Sequence, residues 1–322
     1  MGRAFLPEIH ASLCRPLFTR IPLPPRIMYR TFVILRHTFI EAVVQPIYPL
    51  LLALGSAIML IFGLLPFFTL SEDTVMFKSV CLDIILLLVL ITTLFATSKS
   101  IFEEIEDRTM LTLMSKPLKK WEVLLGKYLG IVLAGGMATA ILGCVIIVAT
   151  WWRIPGDYMI NVNTLDDRDL KLLASYRWMH IAGLFPALVL KWLQISVLAA
   201  VSVAISTRVS LVVNLPVVIF IYIAGNLTRF LFPLEGQGVG THLLAWVLST
   251  FLPYLEIFDL NNATVYQKIA VAGFANDPMA VQLGAIWKYV AFAFGYAVVY
   301  VFFALVAGLL LFENRELGGA EG

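Results

Sequence analysis

Four carboxylates crowd five consecutive positions, at Glu103, Glu104, Glu106 and Asp107, with Arg108 directly after them. Carboxylates this dense serve acid–base catalysis, metal binding or an electrostatic contact. No His or Cys stands beside them to complete a transition-metal set. Their setting is that of a helix start. Ser100 and Glu103 have capping-box spacing, and early negative charge suits the helix macrodipole. Lys116 and Pro117 close the run, since proline cannot continue a helix. Ile105, Met110, Leu113 and Met114 supply an apolar side. The pattern predicts a short charged helix over 101–115, serving either as a solvated turn or as a lever seated in a groove of a partner.

Two further charges stand where charge is costly. Lys191 and Asp83 interrupt long apolar runs, and an intramembrane charge marks a pathway or gate by default. For Lys191 there are two plainer readings: its stem snorkels outward, or it pairs with Asp83. Gly126, Gly130, Ala134 and Gly135 allow close helix approach.

Other chemistries lack their residues. A phosphate-wrapping G-x-x-x-x-G-K-[ST] loop is absent: the one Gly-Lys, Gly126-Lys127, is followed by Tyr128, and Trp121 stands at the first-glycine position. Cys14, Cys81 and Cys144 are far apart, so neither a disulfide framework nor a thiolate metal site is indicated. The ten Met and four His are scattered, with Met179-His180 the one adjacent pair, which argues against bound copper. No catalytic residue, metal site or bound cofactor is expected in this chain. The Asn262-Ala263-Thr264 sequon is a weak match expected to stay bare.

The elements that position these residues follow from composition. Of 322 residues 60% are hydrophobic and 14% charged, with a mean hydropathy of +0.90. Soluble domains carry about 25% charged residues, so the chain reads as an all-α polytopic membrane protein. Its formal charge of +2 is too balanced for a nucleic-acid binder. A helix needs about 20 apolar residues to cross the hydrocarbon. Six transmembrane helices are predicted, at about 43–66, 79–98, 128–152, 183–206, 210–232 and 289–312. Residues 236–255 hold a shorter apolar core ending at Pro253 and are expected to re-enter or lie on the surface before the last span. The outer segment 166–179 is amphipathic, with Trp151, Trp152 and Trp178 nearby as interfacial anchors.

Fourteen of the twenty-three Lys and Arg fall on the side of the N-terminus and the 99–127 loop. The positive-inside bias makes that side cytoplasmic, with both termini inside. Residues 1–25, rich in Pro and Arg, read as a cytoplasmic leader and not a secretory signal. A single transmembrane domain follows over 26–322. Within it, Arg26, Arg30, His37 and Glu41 share one side of a helix over 26–41, with Ile27, Ile34, Leu35 and Phe39 elsewhere on it, as in a helix lying in the headgroup plane or one extending the first span into the cytosol.

The stretch from Glu104 to Gly130 resembles ABC exporter permeases of the type-2 class. Their signature, E-x-E-x-x-T-x-x-x-L-x-S-x-P followed by a basic residue and L-G-K-Y, falls on Glu104, Glu106, Thr109, Leu113, Ser115, Pro117, Lys119/Lys120 and Leu125-Gly126-Lys127-Tyr128. Many relatives have Arg near Lys120, where lysine keeps the charge without the planar fork. The likeness is nearest to the branch named for multicopper-enzyme maturation; the fold carries over and the copper does not.

The resemblance implies a permease paired as a homodimer or heterodimer, surrounded by membrane lipid in the cell inner membrane and driven by two cytoplasmic ATPase subunits that bind ATP and Mg. It implies that 101–115 is the coupling helix, with Glu103, Glu104, Glu106, Asp107, Arg108, Thr109 and Leu113 facing the ATPase. It likewise makes 26–41 the connector helix. Two rival functions use the same spans: a non-transporting membrane scaffold, and an ion-coupled secondary transporter with Lys191 and Asp83 as coupling charges.

Overall fold

The computed structural model describes residues 26–65, 73–106, 119–158, 167–231, 252–271, 274 and 277–313. Among these the regular structure is helical, apart from an isolated bridge between Ile269 and Val281. Helix α1 covers Arg26–Val44 and α2 covers Ile47–Leu64. Pro46 separates them, because its nitrogen has no hydrogen to extend the ladder of α1. Helix α3, Asp73–Thr97, runs on through a π turn at Ser98–Glu103 into Glu104–Glu106. Helix α4 is Lys120–Asp157, α5 is Asp167–Ser206 and α6 is Leu211–Leu231. Short turns at Leu255–Phe258 and Asn262–Tyr266 precede α7, Leu283–Glu313.

Among the described residues five helices are long and apolar enough to cross a membrane: Ile47–Leu64, Asp73–Glu106, Lys120–Asp157, Asp169–Ser206 and Leu283–Phe312. The predicted crossing at 210–232 falls on α6, whose apolar helix Leu211–Asn226 is shorter. Helices α3 and α5 occupy the middle of the bundle. Their apolar windows are 67% and 72% buried, against 17% for α2 and for α7. Asp83 and Lys191 therefore sit on the two central helices.

Two helices are longer than the apolar runs that announce them. Helix α4 starts eight residues before Tyr128, and α5 joins the predicted outer segment to the fourth span in one piece. At about 1.5 Å per residue, 38 and 40 residues reach near 60 Å, twice the hydrocarbon thickness. Hydropathy marks the part that lipid can hold, whereas the backbone ladder continues until it meets a stop.

The expected helix start at Ser100 also differs. Ser100 is no N-cap, since the chain stays helical from Asp73 to Glu106. Its side chain is engaged by another helix, as described below. The leader 1–25, the segment 107–118 and most of 236–255 lie outside the described residues.

Helix α1 packs along the start of α4, where Gly126 and Gly130 remove the side chains that would hold them apart. A methyl group on Gly130 would stand 2.7 Å from the Leu35 carbonyl oxygen and 2.8 Å from Thr38 Cβ. One on Gly126 would stand 2.9 Å from Ile34 Cγ2. The GxxxG spacing thus serves a contact within one chain. A second close approach sets the turn Asn262–Tyr266 on α5, where Gly183 leaves room for the Thr264 carbonyl.

Candidate functional site

Three polar assemblies interrupt the apolar interior. The first joins α3 to α4 at the end of the bundle that also holds α1. Lys127 is 3% exposed, and its ammonium donates to the Ser100 carbonyl, to Ser100 Oγ at 3.1 Å and to Glu104 Oε1 at 2.6 Å. A π turn is an i→i+5 arrangement often found at functional sites, and here a lysine from a neighbouring helix holds it. At the start of α4, Glu122 accepts from the Lys119 backbone N–H at 3.5 Å, half of a capping box. At the same end Arg208 donates to the Leu311 carbonyl at 2.9 Å, and Lys120 lies over the Phe312 ring at 5.2 Å.

Of the predicted coupling residues, Glu103 and Glu106 are exposed and Glu104 holds Lys127. Asp107, Arg108, Thr109 and Leu113 lie outside the described residues. On α1, His37 is exposed and Glu41 is partly buried with its Oε2 enclosed, while the side chain of Arg26 is not described. Arg30 is half-buried. Packing against α4 turns the α1 face carrying Ile34 and Thr38 inward, with Glu41 partly buried beside it.

The second assembly lies between the central helices. Lys191 Nζ stands 3.2 Å from Asp83 Oδ1, with side-chain exposures of 6% and 59%. The lysine is thus paired and does not snorkel. One turn further along α5, Gln194 Nε2 reaches Asn226 Oδ1 of α6 at 3.5 Å. Asn226 in turn donates to the Tyr222 carbonyl at 2.9 Å. Polar contacts therefore tie α5 to α3 and, one turn on, to α6.

The third assembly closes the opposite end. Lys78, 1% exposed, lies 2.9 Å from His180 Nδ1 and donates to the Val265 carbonyl at 3.2 Å. Tyr158 OH is 3.0 Å from His180 Nε2. With Lys78 as an ammonium, which can only donate, His180 is neutral, Nδ1 accepting and Nε2–H facing Tyr158. Nearby, Arg153 donates to the carbonyls of Phe62, Gly63 and Leu65 at 2.9–3.2 Å, satisfying the last turn of α2. It also lies 3.7 Å from Asp73 and over the Phe77 ring.

Lys78 and His180 escape sequence reasoning. Lys78 borders an apolar run like any flanking charge, and His180 has no partner within a turn of its own helix. Their meeting is set by helix packing across 102 residues of sequence. Asn214 escapes in the same way: fully buried, it donates to Ser202 Oγ at 2.8 Å and Ser206 Oγ at 2.9 Å, tying α6 to α5.

Among the described residues no three His, Cys, Asp or Glu side chains stand close enough to hold a metal ion. The polar assemblies can orient helices against one another and accept or release charge pairs.

The family profile for ABC-2 family transporter proteins matches residues 32–317. The match takes in α1 from Phe32 onward, α2 to α7 among the described residues, and both partners of the Glu104–Lys127 pair. No curated protein matches the chain. An apolar helical bundle with this family match is an integral membrane protein. It acts as a transport component and not as an enzyme in its own right, in a family that works with a cytoplasmic ATPase partner. The chain belongs to the ABC-2 transporter family, as a permease component of an ABC transporter.

Proposed function

We propose that this chain is the transmembrane subunit of an ATP-driven exporter, converting ATP hydrolysis by a separate cytoplasmic ATPase into substrate movement. The observation that carries the proposal is the ion pair between Glu104 and Lys127, the acidic and basic halves of the signature. It ties the segment that opens at Glu104 to the first turns of α4, so a pull on that segment reaches a helix crossing the bundle. The lack of a G-x-x-x-x-G-K-[ST] run in these 322 residues supports a separate ATPase.

In this reading the coupling helix over 101–115 seats in a cleft of the ATPase and α1 is the connector beside it. Helix α6 completes six crossings, with both termini cytoplasmic in the inner membrane. Two permeases, identical or paralogous, pair in the lipid with two ATPases that carry ATP and Mg. Closure of the ATPases rocks the helices as rigid bodies between two packings. The Asp83–Lys191 pair on the central helices is then placed to contact substrate or gate its path.

The test is purification of the tagged protein from its host in mild detergent, with mass spectrometry of what accompanies it. A stoichiometric chain carrying a Walker A loop is expected, together with loss of export when that loop's lysine is changed. Recovery of the permease without an ATPase across several detergents overturns the proposal in favour of a scaffold or an ion-coupled carrier.

A further inference from the structure

Lys127 has a second carboxylate within its electrostatic reach. Ile34, Thr38 and Glu41 follow one another at helical spacing on the face of α1 that meets α4. Ile34 lies against Gly126 and Thr38 against Gly130, on either side of Lys127 in sequence. The charge of Glu41 acts on Lys127. Yet Glu41 Oε2 is enclosed and accepts no hydrogen bond.

An enclosed carboxylate oxygen without a donor is costly, because it has left water and gained nothing in return. An arrangement in which that oxygen is satisfied recovers the cost. The ammonium on which its charge acts is held by Glu104 and by the two oxygens of Ser100. Lys127 also borders a void of about 10 Å³ lined by Ile101, Val123, Leu124, Thr207 and Phe312, so its stem is not packed on every side.

We propose that Lys127 is a two-station switch, resting on Glu104 and Ser100 and passing to Glu41 when the segment at Glu104 is drawn away. In the resting station the ammonium holds the π turn, and Glu41 stays unsatisfied. In the other, Glu41 is paired, α1 and α4 are locked together, and the π turn loses the group that engages its Ser100 carbonyl. The two pairings exclude each other because one ammonium serves both, which makes the junction bistable instead of continuously deformable. That the switch transmits a stroke from an ATPase rests on the function proposed above; the exchange itself needs only this chain.

The experiment is thermal unfolding of the purified permease carrying Glu41→Gln, in two backgrounds. In the wild-type background Glu41→Gln removes an unpaired charge and is expected not to lower Tm. In Glu104→Gln, Lys127 has moved to Glu41, so Glu41→Gln is expected to lower Tm by about 2 °C or more. With Lys127→Met the difference between backgrounds should vanish. If Glu104→Gln yields no folded protein, Glu104→Asp, which shortens the first station by one methylene, takes its place with the same expectation. A fall in Tm in both backgrounds, or in neither, overturns the proposal. No ATPase is present, so this outcome is independent of the partner purification above.

Discussion

Glu104 and Lys127 are 23 residues apart in sequence and 2.6 Å apart in space, and their ion pair joins the π turn of α3 to the first turns of α4. Their exposures are unequal: the Lys127 side chain is 4% exposed and that of Glu104 is 25%. Loss of either partner therefore has different consequences. Glu104→Gln takes the resting partner from a buried ammonium, a loss that passage to Glu41 offsets only in part, and should still cost about 2 kcal/mol. Lys127→Met leaves a carboxylate that water can reach, and should cost about 1 kcal/mol in lost hydrogen bonds. Thermal unfolding of the two variants checks the order; equal losses would show that the pair lies in a wetter setting than its burial indicates.

The α1–α4 contact depends on two absent side chains. Gly130→Ala forces a methyl group against the Leu35 backbone carbonyl and should destabilise by about 1–3 kcal/mol. Gly295→Ala in α7 meets nothing within 4 Å and should be neutral, or gain up to about 1 kcal/mol from helix propensity. Unfolding midpoints of both variants, measured side by side, separate packing from propensity.

Arg153 satisfies three carbonyls at the end of α2 and stands near Asp73. Arg153→Met should leave those carbonyls without their donor and fray the last turn. Hydrogen exchange of the Leu65 amide, which donates to the Ile61 carbonyl at 3.2 Å, should accelerate well before the rest of α2 opens. Unchanged protection there would mean that the turn is held by its own ladder.

The Asp83–Lys191 pair is suited to a double-mutant cycle. Asp83→Asn leaves Lys191 buried without its counter-charge and should destabilise by roughly 3 kcal/mol. Adding Lys191→Met should recover most of that loss, because the double variant buries no charge. A double variant that folds like the wild type but no longer exports substrate would assign the pair to the pathway. One that still exports would leave it a structural tie.

Much of the architecture is legible in the sequence, because lipid imposes one simple rule. A helix that crosses must be apolar for about 20 residues and must satisfy its own backbone, so the spans announce themselves residue by residue. Five of the predicted crossings fall on helices long and apolar enough to make them, and the sixth falls on α6. The signature from Glu104 to Tyr128 is equally local, and it named the family that the profile match over 32–317 bears out.

What each polar residue touches was decided only by the tertiary structure. Ser100 has the spacing of an N-cap, yet it sits in a π turn where Lys127, from another helix, takes both of its oxygens. Lys78 reads as a flanking charge, yet it is buried against His180 from 102 positions away. Lys191 left open a choice between snorkelling and pairing, and the 3.2 Å approach of Asp83 resolved it. Hydropathy is a sum over neighbours in sequence, and so it survives without the fold. A hydrogen bond between helices depends on their rotation and depth, which are properties of the packed bundle and of no single segment within it.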